Sequence, residues 1–226
     1  FYQADLAEEN ELNKVILQIK NLDKIDVLIN NAGALFLKRE VNSKGIEKTF
    51  AVNYLSHFYL TISLIDVIKK TKNSKLINIS SMVHKFAKLN LSDINFSKNY
   101  NGYVAYFNSK LMNLLFSYKI NRIYHNDINC YAIHPGWLNT NFGNNNHSNI
   151  RFLSNFVRDI FAKKPSYIGD KIFNICTNQK YLNDSGKYFA KNKIAKSSNL
   201  SYNKNLQDEL WEKSLKIINV QKNEIK

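Results

Sequence analysis

The sequence predicts an α/β fold with a doubly wound, mostly parallel sheet, and three observations carry that prediction. Short, nearly continuous apolar segments at Asp26–Asn30, Lys75–Ser80 and Asp127–His134 have the length and character of strands buried on both faces. Longer stretches of helical period alternate with them. Each strand runs into a polar turn at its carboxyl end, the edge where open α/β sheets bind ligands. At 226 residues and 44% hydrophobic content, the chain suits one sizeable core, hence a single domain over 1–226.

The elements follow in order. Phe1–Leu6 reads as the end of a strand. From Glu8 to Leu22, Leu12, Val15, Ile16 and Ile19 fall at i, i+3, i+4 and i+7, an amphipathic helix. The Asp26 strand leads into Asn30-Asn31-Ala32-Gly33, where the glycine lets backbone approach a ligand closely. Ser43 to about Lys70 reads as one long helix with Asn53 inside its apolar stretch, and a buried amide there needs partners. The Lys75 strand ends in Ser80-Ser81, and an apolar helix spans 103–125. The Asp127 strand is followed by Pro135-Gly136-Trp137-Leu138-Asn139-Thr140, a turn set by proline and glycine. Gly143–Ser148 is polar, and Ile150–Ala162 turns amphipathic, a lid or a surface helix, with membrane contact beside Arg151, Arg158, Lys163 and Lys164 as a further reading. A helix from Pro165 to Thr177, a turn at Ser185-Gly186 into a last strand, and a closing helix from Leu206 to Val220 complete the chain.

Composition excludes several classes. The formal charge is +14, but arginine occurs only at Arg39, Arg122, Arg151 and Arg158, and the lysines are scattered. Bidentate recognition of phosphates and bases favours arginine, so no nucleic acid partner is expected and the charge is read as solvated surface. Cys130 and Cys176 both sit in apolar patterns, as free buried thiols rather than a disulfide or metal site. The longest apolar run, Phe58–Ile68, is broken by Thr61, Ser63 and Asp66 and does not span a bilayer. The chain opens on Phe without a targeting pattern, which reads as a cut.

The chemistry centres on Tyr106 and Lys110. Four residues apart on a helix, they share a face, so the ammonium can favour the phenolate and make Tyr106 a general acid/base. Spacing alone leaves the alternative of a core-edge aromatic beside a solvated lysine.

The order Asn30-Asn31-Ala32-Gly33, Asn53, Ser80-Ser81, Tyr106-x-x-x-Lys110 and Pro135-Gly136 resembles the short-chain dehydrogenase/reductase family across essentially the whole chain. The resemblance implies a Rossmann-like sheet and four catalytic residues. Tyr106 exchanges the proton, Lys110 favours the phenolate and binds the nicotinamide ribose, Ser81 orients the substrate with Ser80 as its rival, and Asn53 holds a water completing a relay. It implies cofactor contacts from Asp5, Leu6, Asn31, Ala32, Gly33, Tyr106, Lys110, Pro135, Gly136 and Thr140, with NADP ahead of NAD. No metal is implied.

The interval from Ser81 to Tyr106 is longer than in many members. With His84 and Asn53-Tyr54-Leu55-Ser56-His57-Phe58, and with Ser185-Gly186-Lys187-Tyr188-Phe189 and Leu210-Trp211-Glu212-Lys213-Ser214, it resembles the retinol dehydrogenase-like branch. Phe86, Leu89, Leu91, Ile94 and Phe96 in the insertion suit either an apolar substrate or packing of the loop itself. The expected function is interconversion of an alcohol and a carbonyl on a retinoid-, steroid- or lipid-like substrate. Reduction of a carbon–carbon double bond and a non-catalytic protein of the same fold are the alternatives. A homodimer, membrane-surface association and a place in the cytoplasm, or on the cytosolic face of a membrane if an anchor precedes Phe1, complete the expectations.

The family's Gly-x-x-x-Gly-x-Gly turn, which cradles the cofactor pyrophosphate, is not among the seven glycines. In the family's strand order, the first two strands separate Phe1–Leu6 from Asp26–Asn30. The sequence therefore predicts a sheet lacking them, with Phe1–Leu6 badly paired or the Asp26 strand exposed at an edge.

Overall fold

The computed structural model describes residues 1–136, 165–190 and 193–218, the backbone alone for 165–168. Strands β1 (Val27–Asn30), β2 (Ser74–Ile79), β3 (Ile128–His134), β4 (Tyr188–Ala190) and β5 (Lys193–Ala195) form one sheet in chain order. The first four are parallel and β5 returns antiparallel beside β4. All six residues of β2 are buried, Ser74, Lys75 and Asn78 along with the apolar Leu76, Ile77 and Ile79.

Phe1–Leu6, read from the sequence as a strand end, forms no strand; as its expected poor pairing implies, no strand among the described residues lies beside it to complete its hydrogen bonds. Val27–Asn30 is the sheet edge instead, and Ile29 is left 42% exposed. That exposed edge is the outcome the sequence predicted. The strand at Tyr188 is not the last, since β5 pairs with it as a hairpin that the polar sequence after Ala190 did not signal.

Helix α1 (Glu9–Lys20) turns Leu12 and Ile16 into the core. The long helix expected from Ser43 is broken into pieces: α2 (Lys48–Phe50), a π-turn over Ala51–Leu55, α3 (Ser56–Ser63) and α4 (Ile65–Lys69). It starts late because the buried Glu47 carboxylate caps it, accepting the Thr49 and Phe50 N–H groups, while Val41 and Glu47 form an isolated bridge before it. It breaks at Leu64, which leaves helical geometry at φ −105°.

Helix α5 (Gly102–Tyr124) begins where the Asn101 side chain accepts from the N–H groups of Tyr103 and Val104. Gly102 presses against the preceding chain so closely that a Cβ would stand 2.2 Å from the Phe36 carbonyl oxygen. The first turn is thereby fixed, and Tyr106 one turn later with it. Helices α6 (Pro165–Thr177) and α7 (Lys204–Ile217) follow among the described residues, α7 capped by Asn203. Tyr54, Phe58, Phe116 and Trp211 form the aromatic heart of the core, with Phe58 and Trp211 edge to face at 5.2 Å. Burying each such ring stabilises the fold by roughly 1.5–3 kcal/mol. Cys130 is buried, whereas Cys176 is only partly so; both are free thiols.

Candidate active site

Helix α5 crosses the carboxyl end of β2 and delivers Lys110 there, 4% exposed. Its Nζ donates to the Ile79 carbonyl at 3.2 Å and lies 5.5 Å from the centre of the Tyr106 ring. Burial lowers the Lys110 ammonium to about 8. Burial also pushes the Tyr106 phenol above its ordinary value, which works against the expected easing of the phenolate. Desolvation disfavours both charged forms, and the amine is spent first on a carbonyl.

Gly33 lies beside Lys110 and Asn53. A Cβ there would stand 3.3 Å from Lys110 Nζ and 3.5 Å from Asn53 Oδ1, so only glycine leaves the three groups their present spacing. The π-turn carries Asn53 into the site, where its Oδ1 accepts the Ala34 N–H at 2.7 Å and its Nδ2 donates to the Ala34 carbonyl and to Ser109 Oγ. This clamp holds the strand-exit loop, and with it exposed Asn31 and half-buried Ala32, beside the lysine. Asn30 points inward and belongs to the scaffold, donating to Thr61 Oγ1 and Asn78 Oδ1.

The serine pair divides its work. Ser80 is buried and donates its hydroxyl to the Lys110 carbonyl at 2.8 Å. Half-buried Ser81 caps the following 3-10 turn, its Oγ accepting only a long 3.4 Å contact from the Val83 N–H. Ser81 therefore keeps a hydroxyl proton to offer.

Pro135 and Gly136 leave the end of β3 half-buried, with Gly136 at φ +95°. Thr140, Trp137 and the Ile150–Ala162 segment lie outside the described residues. Asp5 and Leu6 take local roles: the Asp5 carboxylate accepts the Ala7 N–H, and Leu6 packs on the core beside α1. Among the described contacts, none brings either of them to Lys110.

The profile of the short chain dehydrogenase family matches residues 1–151, two thirds of the chain. The chain belongs to the short-chain dehydrogenases. It is similar to human polyprenol dehydrogenase, 29% identical over 97% of this chain and 69% of that protein, and to mouse retinol dehydrogenase 14, 30% identical over 88% and 60%. Such relatives support the retinol dehydrogenase-like branch, and the chain spans about two thirds of their length. Among solved structures it resembles an uncharacterised protein from Mycobacterium paratuberculosis, with TM-score 0.68 at 24% identity over 96% of this chain and 75% of that one. It also resembles NADPH-bound carbonyl reductase from chicken fatty liver, with TM-score 0.59 at 18% identity over 86% and 75%. Both share its Rossmann-like α/β fold.

In this short-chain dehydrogenase the insertion after Ser81 packs down through part of its apolar residues and leaves others exposed. Leu91 and Ile94 are buried in the core and Leu89 packs against it. Phe86 stays 68% exposed, 6.0 Å from the Phe107 ring, with Met82 and Tyr103 also exposed on the same two elements. Asn108 staples the loop by accepting the Lys88 N–H and donating to the Lys88 carbonyl. Sequence reasoning named neither Asn108 nor His57 as a working residue. His57 is buried on α3 with neither ring nitrogen hydrogen-bonded, and its place one turn after Asn53 was the available signal. Burial, and then the Lys110 charge, lower it to about 3, with the Asn53 backbone only partly offsetting them. Among the described residues no cluster of side chains could hold a metal ion, and no helix is long and apolar enough to cross a membrane.

Proposed function

We propose that this short-chain dehydrogenase interconverts an alcohol and a carbonyl on an apolar substrate with NADP or NAD. The observation that carries the reading is the convergence of Lys110, Tyr106, Asn53 and Gly33 at the carboxyl end of β2, beside a serine with an uncommitted proton. The residues present fit the nicotinamide-ribose end of the cofactor. Gly33 leaves the backbone at Asn31–Gly33 open to close approach, Lys110 offers donors, and Pro135-Gly136 turns away to frame the other side. The bound nicotinamide supplies or accepts the hydride.

In the reductive direction Ser81 donates a hydrogen bond to the substrate carbonyl oxygen and Tyr106 gives it a proton as charge develops there. Lys110 stabilises the phenolate left behind. Asn53 and Lys110 lie against the same side of Gly33, and on the family pattern Asn53 holds the water that returns the proton. Oxidation of the alcohol runs through the same groups in reverse.

Met82, Phe86, Tyr103 and Phe107 form the apolar rim that favours retinoid- or lipid-like aldehydes over small polar ketones. Names of similar proteins such as polyprenol and retinol dehydrogenases agree with that class. The test follows NADPH and NADH fluorescence with retinal, decanal and a small polar ketone, and identifies the product by mass. Turnover of the apolar aldehydes to alcohols supports the reading; no turnover, a saturated carbonyl product or preference for the polar ketone contradicts it.

A further inference from the structure

His84 stands three residues after Ser81 and is 1% exposed, yet it touches neither Tyr106 nor Lys110 among the described contacts. Its Nδ1 lies 2.5 Å from the Ser81 carbonyl oxygen, and its Nε2 accepts the Ser198 N–H at 3.0 Å. The Tyr188 ring meets it edge on at 5.3 Å. A carbonyl only accepts and a backbone N–H only donates, so both bonds coexist in one state alone, the neutral ring with its proton on Nδ1. Burial favours that neutral form.

What His84 reaches is rigid. Ser197 Oγ hydrogen-bonds both Tyr118 Oη and Ser201 Oγ at 2.7 Å, and the Ser197 N–H donates to Tyr202 Oη. Tyr118 and Tyr202 stack at 5.2 Å, and Gln207 donates to the Ser201 carbonyl. Tyr118 lies on α5, about three turns beyond Tyr106. The contacts thus close a circuit from the Ser81 main chain through His84, Ser198 and Tyr118 back to the helix that carries the proton donor.

We propose that His84, as the neutral Nδ1–H tautomer, is a positioning residue that ties the Ser81 main chain to the Ser197–Tyr202 segment and so fixes the Ser81 hydroxyl relative to Tyr106. This rests on the reading of Ser81 as the substrate-orienting hydroxyl. A histidine that merely fills space would be replaceable by any ring of similar size. A clasp depends instead on which nitrogen does what.

Three variants separate the two bonds. His84→Asn keeps a donor at the Nδ1 position, His84→Gln keeps an acceptor at the Nε2 position, and His84→Phe keeps only the ring. Long-range proton–nitrogen correlation spectra of the wild-type protein at pH 7 will show Nδ1 protonated and Nε2 bare. Exchange of the Ser198 amide will rise about tenfold or more in the Phe and Asn variants but stay near wild type in the Gln variant. With decanal and NADPH, kcat will fall about tenfold in all three variants, because each loses one or both ends of the tie and small displacements at a reacting centre carry such losses. A charged ring or an Nε2–H tautomer overturns the proposal, as does a Phe variant with wild-type Ser198 exchange and kcat. If the wild type reduces no aldehyde, the functional reading falls on its own, because the tautomer and the exchange rates are read without substrate.

Discussion

Ser80 and Lys110 are joined by a hydrogen bond in which the serine hydroxyl supports the lysine's main chain, 2.8 Å from its carbonyl oxygen. The neighbouring Ser81 is thereby the serine free to act. Ser80→Ala removes one buried hydrogen bond and will cost about 1 kcal/mol of stability with kcat nearly unchanged. Ser81→Ala will leave the melting transition in place and lower kcat/KM on the order of 10²-fold. Denaturation and steady-state assays on the two variants check the division; equal loss of activity in both would contradict it.

Gly102 carries the position of α5. A Cβ there would meet backbone atoms of Phe36 and Leu37 rather than a flexible side chain, so no cheap rearrangement relieves it. Gly102→Ala will destabilise the protein by roughly 1–3 kcal/mol, the usual range for overpacking, as urea unfolding will show. Gly33→Ala meets the tip of Lys110 instead, so its stability will change by less while Lys110 is displaced from the site.

Lys110 is held charged where it is poorly solvated, and stability records the strain. Its folded pKa of about 8 lies below the ordinary lysine value of 10.5, so the folded state binds protons less readily than the unfolded one. The resulting destabilisation is fully present below pH 8 and is relieved as pH rises toward 10.5, a contribution of about 3 kcal/mol. Lys110→Met will therefore be more stable than the wild type at pH 7, and the gap will close between pH 8 and 10.5. Denaturant titrations of both proteins across that range read the difference directly, with activity lost in the variant.

His57 acts in the same sense at lower pH. Folded near 3 against an ordinary value of 6.5, it stays neutral inside while the unfolded chain takes up a proton. Stability is lost as pH falls from 6.5 toward 3, by about 1.4 kcal/mol for each unit in the middle of the window. His57→Phe will flatten that part of the stability profile.

Much of this was legible in the sequence because the relevant signals are local. The buried strands announced themselves as apolar runs ending in polar turns, and Tyr106 and Lys110 share a helix face by spacing alone. The break at Leu64 and the π-turn around Asn53 were hidden, since Ala51–Ile68 keeps its apolar pattern across both irregularities and the Glu47 cap uses a carboxylate in place of the usual serine or asparagine. The division between Ser80 and Ser81 depends on which hydroxyl meets the Lys110 carbonyl, a contact thirty residues distant. The His84 clasp and the Asn108 staple arise from similarly distant pairings.

The most direct test of the central claim is the rate of NADPH oxidation with retinal by the wild-type protein and by Tyr106→Phe. The phenylalanine keeps the ring beside Lys110 and removes only the hydroxyl. A fall in kcat of about 10²-fold or more, with the fold and the melting temperature unchanged, is the predicted result. Turnover at the wild-type rate without the phenol would contradict the account.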